Sequence, residues 1–399
     1  MKHLAVLATL LAPVPALADI DPSNWDAVTT EAEGQTVFWN AWGGSTTTND
    51  FIAWVGDRVA EDYGVTLEHV KLTDTADAVT RVLSEKQAGE NDDGAIDMIW
   101  INGANFAAMK EADLLFGPYA EQLPNWAIVD TDGKSVQTDF TVPTEGFESP
   151  WAMAQVVFVH DTADMPDRLG SMQELLEWTQ ANPGRFSYPQ PPDFLGTTFL
   201  KQVLVDILPD PSVLAVPATD ENYDVVTASL WAYLDALTPN LWREGKAYPA
   251  TGTAMFPLIA DGELDLSISF SPGAASTAIA NNELPPTVRT FVMDKGTIGN
   301  ASFVAVPYNS GSKAAAMVVA NFLMSPEAQA RAQDPNILGY GTVLDMDALS
   351  DEDRALFDAL DLGVATLSPA ELGTVQAEPH PSWMTRIADD WMTRYGVAQ

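Results

Sequence analysis

Between residues 36 and 114 the chain alternates short apolar runs with helical periodicity, and this alternation narrows the possible folds most. Residues 36–39 read as a strand. It breaks into Asn40-Ala41-Trp42-Gly43-Gly44 and a polar run over 45–49, and then Phe51, Ile52, Val55 and Val59 form one helical stripe. Residues 65–72 read as a second strand, and 75–88 as a second helix closed by Gly89. Residues 96–101 read as a buried third strand, with Phe106, Met109 and Leu114 opening a further helical segment. A βαβαβ order predicts a mostly parallel sheet with helices on its faces, because parallel neighbours need a long crossover. In such sheets ligands sit in the crevice beyond the carboxyl ends of the strands. The loops at 40–48 and 102–106 are therefore candidate binding segments, although Trp39 and Trp42 also read as core residues beside a tight turn.

The order changes after Pro118 and Pro124. Pro150-Trp151 introduces an apolar strand signal over 152–160, read as the first crossing into another lobe. Strand signals at 264–270, 288–293 and 302–307 follow, the last one crossing back. A chain of 399 residues fits two domains. The expected division is lobe 1 over 19–149 and 303–399, and lobe 2 over 150–302. Trp383, Ile387 and Trp391 share one stripe near the C-terminus and read as a docking face.

Lys2 and His3 precede an apolar run over 4–11 and the segment ending Ala16-Leu17-Ala18. This predicts a signal peptide over residues 1–18, cleaved after Ala18, and an exported, periplasmic chain. The apolar run is too short to span a bilayer, and no later run is long enough, so no membrane insertion is expected. Nineteen Lys and Arg against 56 Asp and Glu give a formal charge of −37, which repels nucleic acid and anionic membranes. Cysteine is absent, which excludes a thiol nucleophile, a disulfide and any cysteine metal site. Four histidines lie scattered, without HExxH spacing, and neither GxSxG nor GxxxxGK[ST] occurs. The expectation is a non-enzyme without cofactor or resident metal. A secreted two-lobed hydrolase is the alternative from another class.

Loops just past strand ends also fall at 188–198 and 270–276. Together the loops supply rings, amides and helix starts. Rings hold apolar faces or cations, and helix starts hold anions unless Ser, Thr or Asp caps them.

The stretches WNAWGGSTTTN (39–49), DMIWINGANF (97–106), GRFSYPQPPDFLGTTF (184–199) and IGNASFVAVP (298–307) together resemble the extracellular solute-binding proteins of ABC importers, family 1. Within that class the chain is similar to the YnjB-like periplasmic binding proteins. The resemblance covers essentially the whole chain after the leader. It implies an α/β, two-lobed periplasmic-binding-protein fold of type II, with mixed sheets, flanking helices and hinge crossings. It also implies capture without chemistry, hinge closure over a small solute, a monomer, and delivery to an ABC permease with its ATPase. On this basis the first lobe is expected to contribute Trp39, Asn40 and Trp42, the amides and hydroxyls of Gly43, Gly44, Ser45 and Thr46, and Asn102, Asn105 and Phe106. The second is expected to contribute Tyr188, Gln190, Asp193, the helix start Gly196-Thr197, Phe270 and Ser271. Asn300 and Ser302 are placed near the returning hinge. Tryptophans and amides outnumber tyrosines in these loops, which favours an organic solute. A thiamine-like, cationic or heteroaromatic molecule with Asp193 as counter-charge, or a sugar, fits best; a metal such as iron, or an anion, is the alternative.

Overall fold

A computed structural model describes residues 20–397 of the chain. The signal peptide expected over 1–18 lies outside them.

Strands β1 (Thr36–Trp42), β2 (Thr66–Leu72) and β3 (Met98–Ile101) run parallel in the order β2-β1-β3. The βαβαβ pattern is thus realised as read. Helix Thr46–Tyr63 joins the first two strands. Ser45 caps its start, accepting from the Thr48 N–H at 3.5 Å, and Gly64 ends it at φ 67°, a left-handed position that suits glycine. A small hairpin follows, β4 (Thr138–Asp139) and β5 (Val142–Pro143). Next come β6 (Glu148–Gln155), β7 (Val157–Asp161), β8 (Leu266–Ser269), β9 (Val288–Phe291), β10 (Thr297–Ala305) and β11 (Val375–Gln376). β10 runs antiparallel to both β3 and β6 and closes the first sheet, with β11 parallel on its outer end. A second, antiparallel sheet has the order β8-β7-β9.

Each sheet anchors its own core. Trp151 of β6 centres the first: Trp39, Trp100, Phe51 and Tyr340 surround it with ring centroids 6.2, 4.9, 6.0 and 5.9 Å away. Four separate segments are held to β6 through one ring, and aromatic burial of this kind carries large area and specific geometry. The second core forms around Phe158, Leu200, Leu234 and Trp383.

The crossings are sharper than the sequence reading. The apolar run 152–160 is two strands, which part at Val156, where its N–H donates to the Ile298 carbonyl at 2.8 Å. β10 crosses within itself: Ile298 belongs to the second core and Ala301 to the first. A third crossing, to which the expected division gave no position, lies near the C-terminus. Phe357 packs in the first core, but Ala365, Trp383, Ile387 and Trp391 pack in the second. The C-terminal helix Pro381–Tyr395 therefore docks on the lobe opposite to the one expected for 303–399. Its apolar stripe is real, but a stripe does not state which core it meets. Among the described residues no helix is long and apolar enough to cross a membrane.

Candidate functional site

The end of β1 turns Trp39, Asn40 and Ala41 inward, while the loop after it stays partly exposed. Trp39 is fully buried and edge-on to Trp151, so it is a core residue, and Phe106 is equally buried in the same core. Asn40 is nearly buried, and its Oδ1 has no hydrogen-bond partner. Trp42 stays half-buried at the strand end with Gly44 against its ring, where a Cβ would collide with the indole. The Gly43 N–H donates to the Leu72 carbonyl at 3.0 Å. Ser45 spends its hydroxyl on the helix cap and on Thr47 at 2.8 Å, while Thr46 is exposed.

The loop at 188–198 is likewise engaged. Tyr188 is fully buried, stacks on Phe199 at 4.3 Å and accepts a hydrogen bond from Trp391 Nε1 at 3.1 Å. It belongs to the second core, not to a solute-facing wall. Gln190 binds both the N–H and the carbonyl of Val397. Asp193, expected as a counter-charge, is the N-cap of helix Phe194–Ile207: its Oδ1 accepts from the Leu195 and Gly196 N–H groups at 2.9 and 3.1 Å. Thr197 Oγ1 donates to the Asp193 carbonyl at 3.0 Å, and Gly196 is pressed against the Pro189 carbonyl with no room for a Cβ. Asp193→Ala is expected to lower stability by about 1 kcal/mol, the usual worth of such a cap, in urea unfolding, and to leave solute affinity unchanged.

The remaining predicted residues are distributed around β6, β10 and the loops beside them. Asn102 Nδ2 donates to the Ala301 carbonyl at 2.7 Å, and half-buried Asn105 donates its backbone N–H to the Asn102 carbonyl at 3.3 Å. Ser302 is nearly buried on β10. The Phe270 carbonyl accepts from the Gln155 N–H at 3.1 Å, and Ser271 Oγ donates to the Gly339 carbonyl at 3.2 Å. Asn300 Nδ2 donates to Glu378 Oε1 at 3.1 Å.

That last bond leads to residues the sequence reading missed. Glu378 Oε2 pairs with Lys201 Nζ at 2.6 Å, with both side chains sealed from solvent. The Lys201 ammonium lies 4.5 Å from the Phe140 ring centroid and 5.5 Å from that of Phe194. Phe194 in turn stands edge-on to Phe270 at 5.3 Å. Phe140 comes from the β4–β5 hairpin, whereas Lys201 and Phe194 come from the helix of the second core. Beside Phe140, Asp139 is fully buried; its Oδ2 accepts from the Gly103 N–H at 2.5 Å, and its Oδ1 has no partner.

Burial raises the Asp139 carboxyl well above the usual carboxylate range; the Gly103 N–H opposes this, the Glu378 charge adds to it, and the Asn102 amide and the Lys201 ammonium oppose it further. Burial also raises Glu378, opposed by the Lys201 ammonium. Glu148, fully buried with both oxygens unpartnered, is raised by burial and then by Asp139. The junction thus holds more carboxyl groups than cations.

A lone lysine inside the apolar run Phe199-Leu200-Lys201-Gln202-Val203-Leu204 was a visible signal. Asp139 had none, being one acid among 56 acidic residues in an irregular stretch. Two cavities, of about 380 and 150 Å³, are lined by none of the predicted residues; they lie beside Gly296, next to the segments 371–374 and 205–211. Among the described residues no group of three or more His, Cys, Asp or Glu is placed to hold a metal ion.

A family model described as bacterial extracellular solute-binding protein matches residues 54–353. Protein YnjB of Escherichia coli strain K12 is 44% identical over 397 residues, covering 100% of both chains. Among solved structures, a putative spermidine/putrescine ABC transporter from Listeria monocytogenes superposes with a TM-score of 0.62 at 16% identity, over 90% of this chain and 98% of that one. The periplasmic binding protein AfuA of Actinobacillus pleuropneumoniae, with fructose-6-phosphate bound, superposes with a TM-score of 0.62 at 12% identity, over 91% and 99% of the chains.

Proposed function

The chain belongs to the bacterial extracellular solute-binding proteins, and from that premise we propose that its solute is a small organic molecule gripped at the junction of Asp139, Phe140, Phe194, Lys201, Asn300 and Glu378. It is a periplasmic, non-catalytic component of an ABC-type importer that binds a small solute between two lobes, and it serves a permease and its ATPase. The fold is the two-lobed type II arrangement of that class. Thiamine-like, cationic or heteroaromatic molecules and sugars are the candidate solutes, and the protein works as a monomer.

One observation carries the placement of the site. The hairpin tip of the first lobe lays Phe140 on Lys201 of the second, and Asn300 of β10 and Glu378 of the segment ahead of the C-terminal helix reach the same point. Contacts made to both lobes at once favour the closed arrangement, because a ligand shifts an equilibrium only by its differential affinity for the two states. Asn102, Phe270, Ser271 and Ser302 flank this point. Trp42 stays beside the crevice and forms the outer part of the first-lobe wall.

The test is a thermal-shift screen of the purified protein against metals, amines, thiamine derivatives, sugars and small acids. A true solute raises Tm by mass action, equivalent to about 2.7 kcal/mol at a hundred times Kd. No shift with any class, together with measurable hydrolysis of an ester or glycoside, overturns the reading.

A further inference from the structure

Resting on solute capture between two lobes, and not on where the solute sits, we infer that Gln155 and Thr297 are positioning residues that latch the hinge. Their side chains hold two adjacent crossings in the joined arrangement and so set how tightly any solute is kept.

Two of the crossings run side by side. β6 ends at Gln155 and the chain enters β7 after Val156, while β10 passes from the second core at Ile298 to the first at Ala301. The strands are antiparallel there, with Gly299 opposite Gln155. Any rotation of one lobe on the other must turn both strands at this level.

Gln155 belongs to the first sheet, yet its bonds reach groups of the second lobe. It is 5% exposed. Its N–H donates to the Phe270 carbonyl at 3.1 Å, and its Nε2 donates to Thr297 Oγ1 and to the Leu372 carbonyl, each at 3.1 Å. Phe270 and Leu372 both pack against the second core. Thr297 is fully buried, and its Oγ1 donates in turn to the Val156 carbonyl at 2.6 Å. The hydroxyl therefore accepts from the residue before the bend and donates to the residue after it. Parting the lobes breaks this run of bonds and leaves buried polar groups idle, which is costly.

The strand is tightly held on one side of the latch and loosely packed on the other. β11 pairs Val375 with Thr297, and a Cβ at Gly299 would stand 2.8 Å from both the Ala154 carbonyl and Val375 Cγ1. Gly296, one residue before Thr297, instead borders both cavities, of about 380 and 150 Å³. Close-packed interiors resist small displacements, so free volume beside the latch is where the backbone can shift when its bonds are lost.

The chain has no cysteine, so spin labels at two introduced ones report the interlobe distance alone. Ala53→Cys is exposed on helix Thr46–Tyr63 of the first lobe, and Ser229→Cys on helix Tyr223–Leu237 of the second. Pulsed electron resonance on this labelled chain, with no solute present, compares Gln155→Leu, Thr297→Val and Thr297→Ser with the unsubstituted latch. The unsubstituted latch is expected to show a joined population. Gln155→Leu and Thr297→Val are each expected to move the ratio of open to joined molecules about 5- to 150-fold toward open, the worth of two neutral hydrogen bonds. Thr297→Ser keeps the hydroxyl and is expected to keep the original distances. Far-UV circular dichroism shows that each variant folds. A lower Tm with unchanged distances in Gln155→Leu and Thr297→Val would assign the two residues to stability alone and overturn the latch. So would the lack of any joined population before substitution, or a Thr297→Ser that behaves like Thr297→Val. Each of these leaves solute capture standing, since no solute enters the measurement; capture itself falls only with the thermal-shift screen and measurable hydrolysis.

Discussion

Lys201→Met is expected to destabilise the protein by about 3–5 kcal/mol, the cost of stranding one partner of a buried ion pair. The pair has no access to water: both side chains are within 1% of full burial, and Nζ and Oε2 lie 2.6 Å apart. Removing the ammonium leaves Glu378 with Asn300 as its remaining partner, close to the carboxyl of Asp139. Coulomb attraction is lost while the desolvation cost of the carboxylate remains. Glu378 then takes up a proton, so the deficit shrinks as pH falls through its raised range. The double variant Lys201→Met, Glu378→Gln removes both charges and recovers most of the loss. Urea unfolding with an unchanged slope separates this from a change in compactness. A single variant as stable as wild type would show that the pair is not sealed.

Gly273→Ala carries the second large effect, on closure. Gly273 lies between β8 and helix Ala274–Ala280 of the second core, while Gly339 adjoins Leu338 of the first. Their backbones touch: the Gly273 N–H donates to the Gly339 carbonyl at 3.0 Å, and a Cβ on Gly273 would stand 2.5 Å from Gly339 Cα. The obstacle is backbone, which no side-chain rotation relieves, and Gly339 sits at φ 64°, where glycine is favoured. Forcing extra atoms into a tight contact costs about 1–3 kcal/mol. Here that cost falls on the joined arrangement of the lobes and not on either core. Solute affinity is expected to fall about 5- to 150-fold, the same energy expressed as a population shift. Small-angle scattering should show a larger radius of gyration in the presence of solute. Wild-type affinity in this variant would mean that the glycine contact does not form when solute is held.

The first three strands were legible because each is a short apolar run followed by a helix with its own cap, as with Ser45 and Gly64. The stripe Trp383, Ile387 and Trp391 was legible as a docking face for the same reason. The lobe that receives it was not, because amphipathic spacing records that a face is buried and says nothing of against what. Val156 and Ile298, where strands change lobes, lie inside apolar runs that look uniform. The proposed site overlaps the residues read from sequence in part. Asn102, Phe270, Ser271, Asn300 and Ser302 follow from loops and crossings beyond strand ends. Trp39, Phe106 and Tyr188 were read as wall residues because a ring near a loop looks available, yet each is claimed by a core. Asp193 was read as a counter-charge, and its carboxylate is spent on a helix start.

The family, the α/β alternation and the absence of thiol chemistry were determined by the sequence, since these depend on residue types and local spacing. Only the tertiary structure decided which charges lose their water. Asp139, Lys201 and Glu378 are separated by 62 and 177 positions along the chain. Lys201 stands out locally only as a lysine inside an apolar run, and nothing local distinguishes Asp139 or Glu378 from the exposed acids elsewhere. They become neighbours when the hairpin tip, the capped helix and the segment ahead of the C-terminal helix converge. Burial at that point turns ordinary charged residues into groups whose pairing, or lack of it, can select a solute.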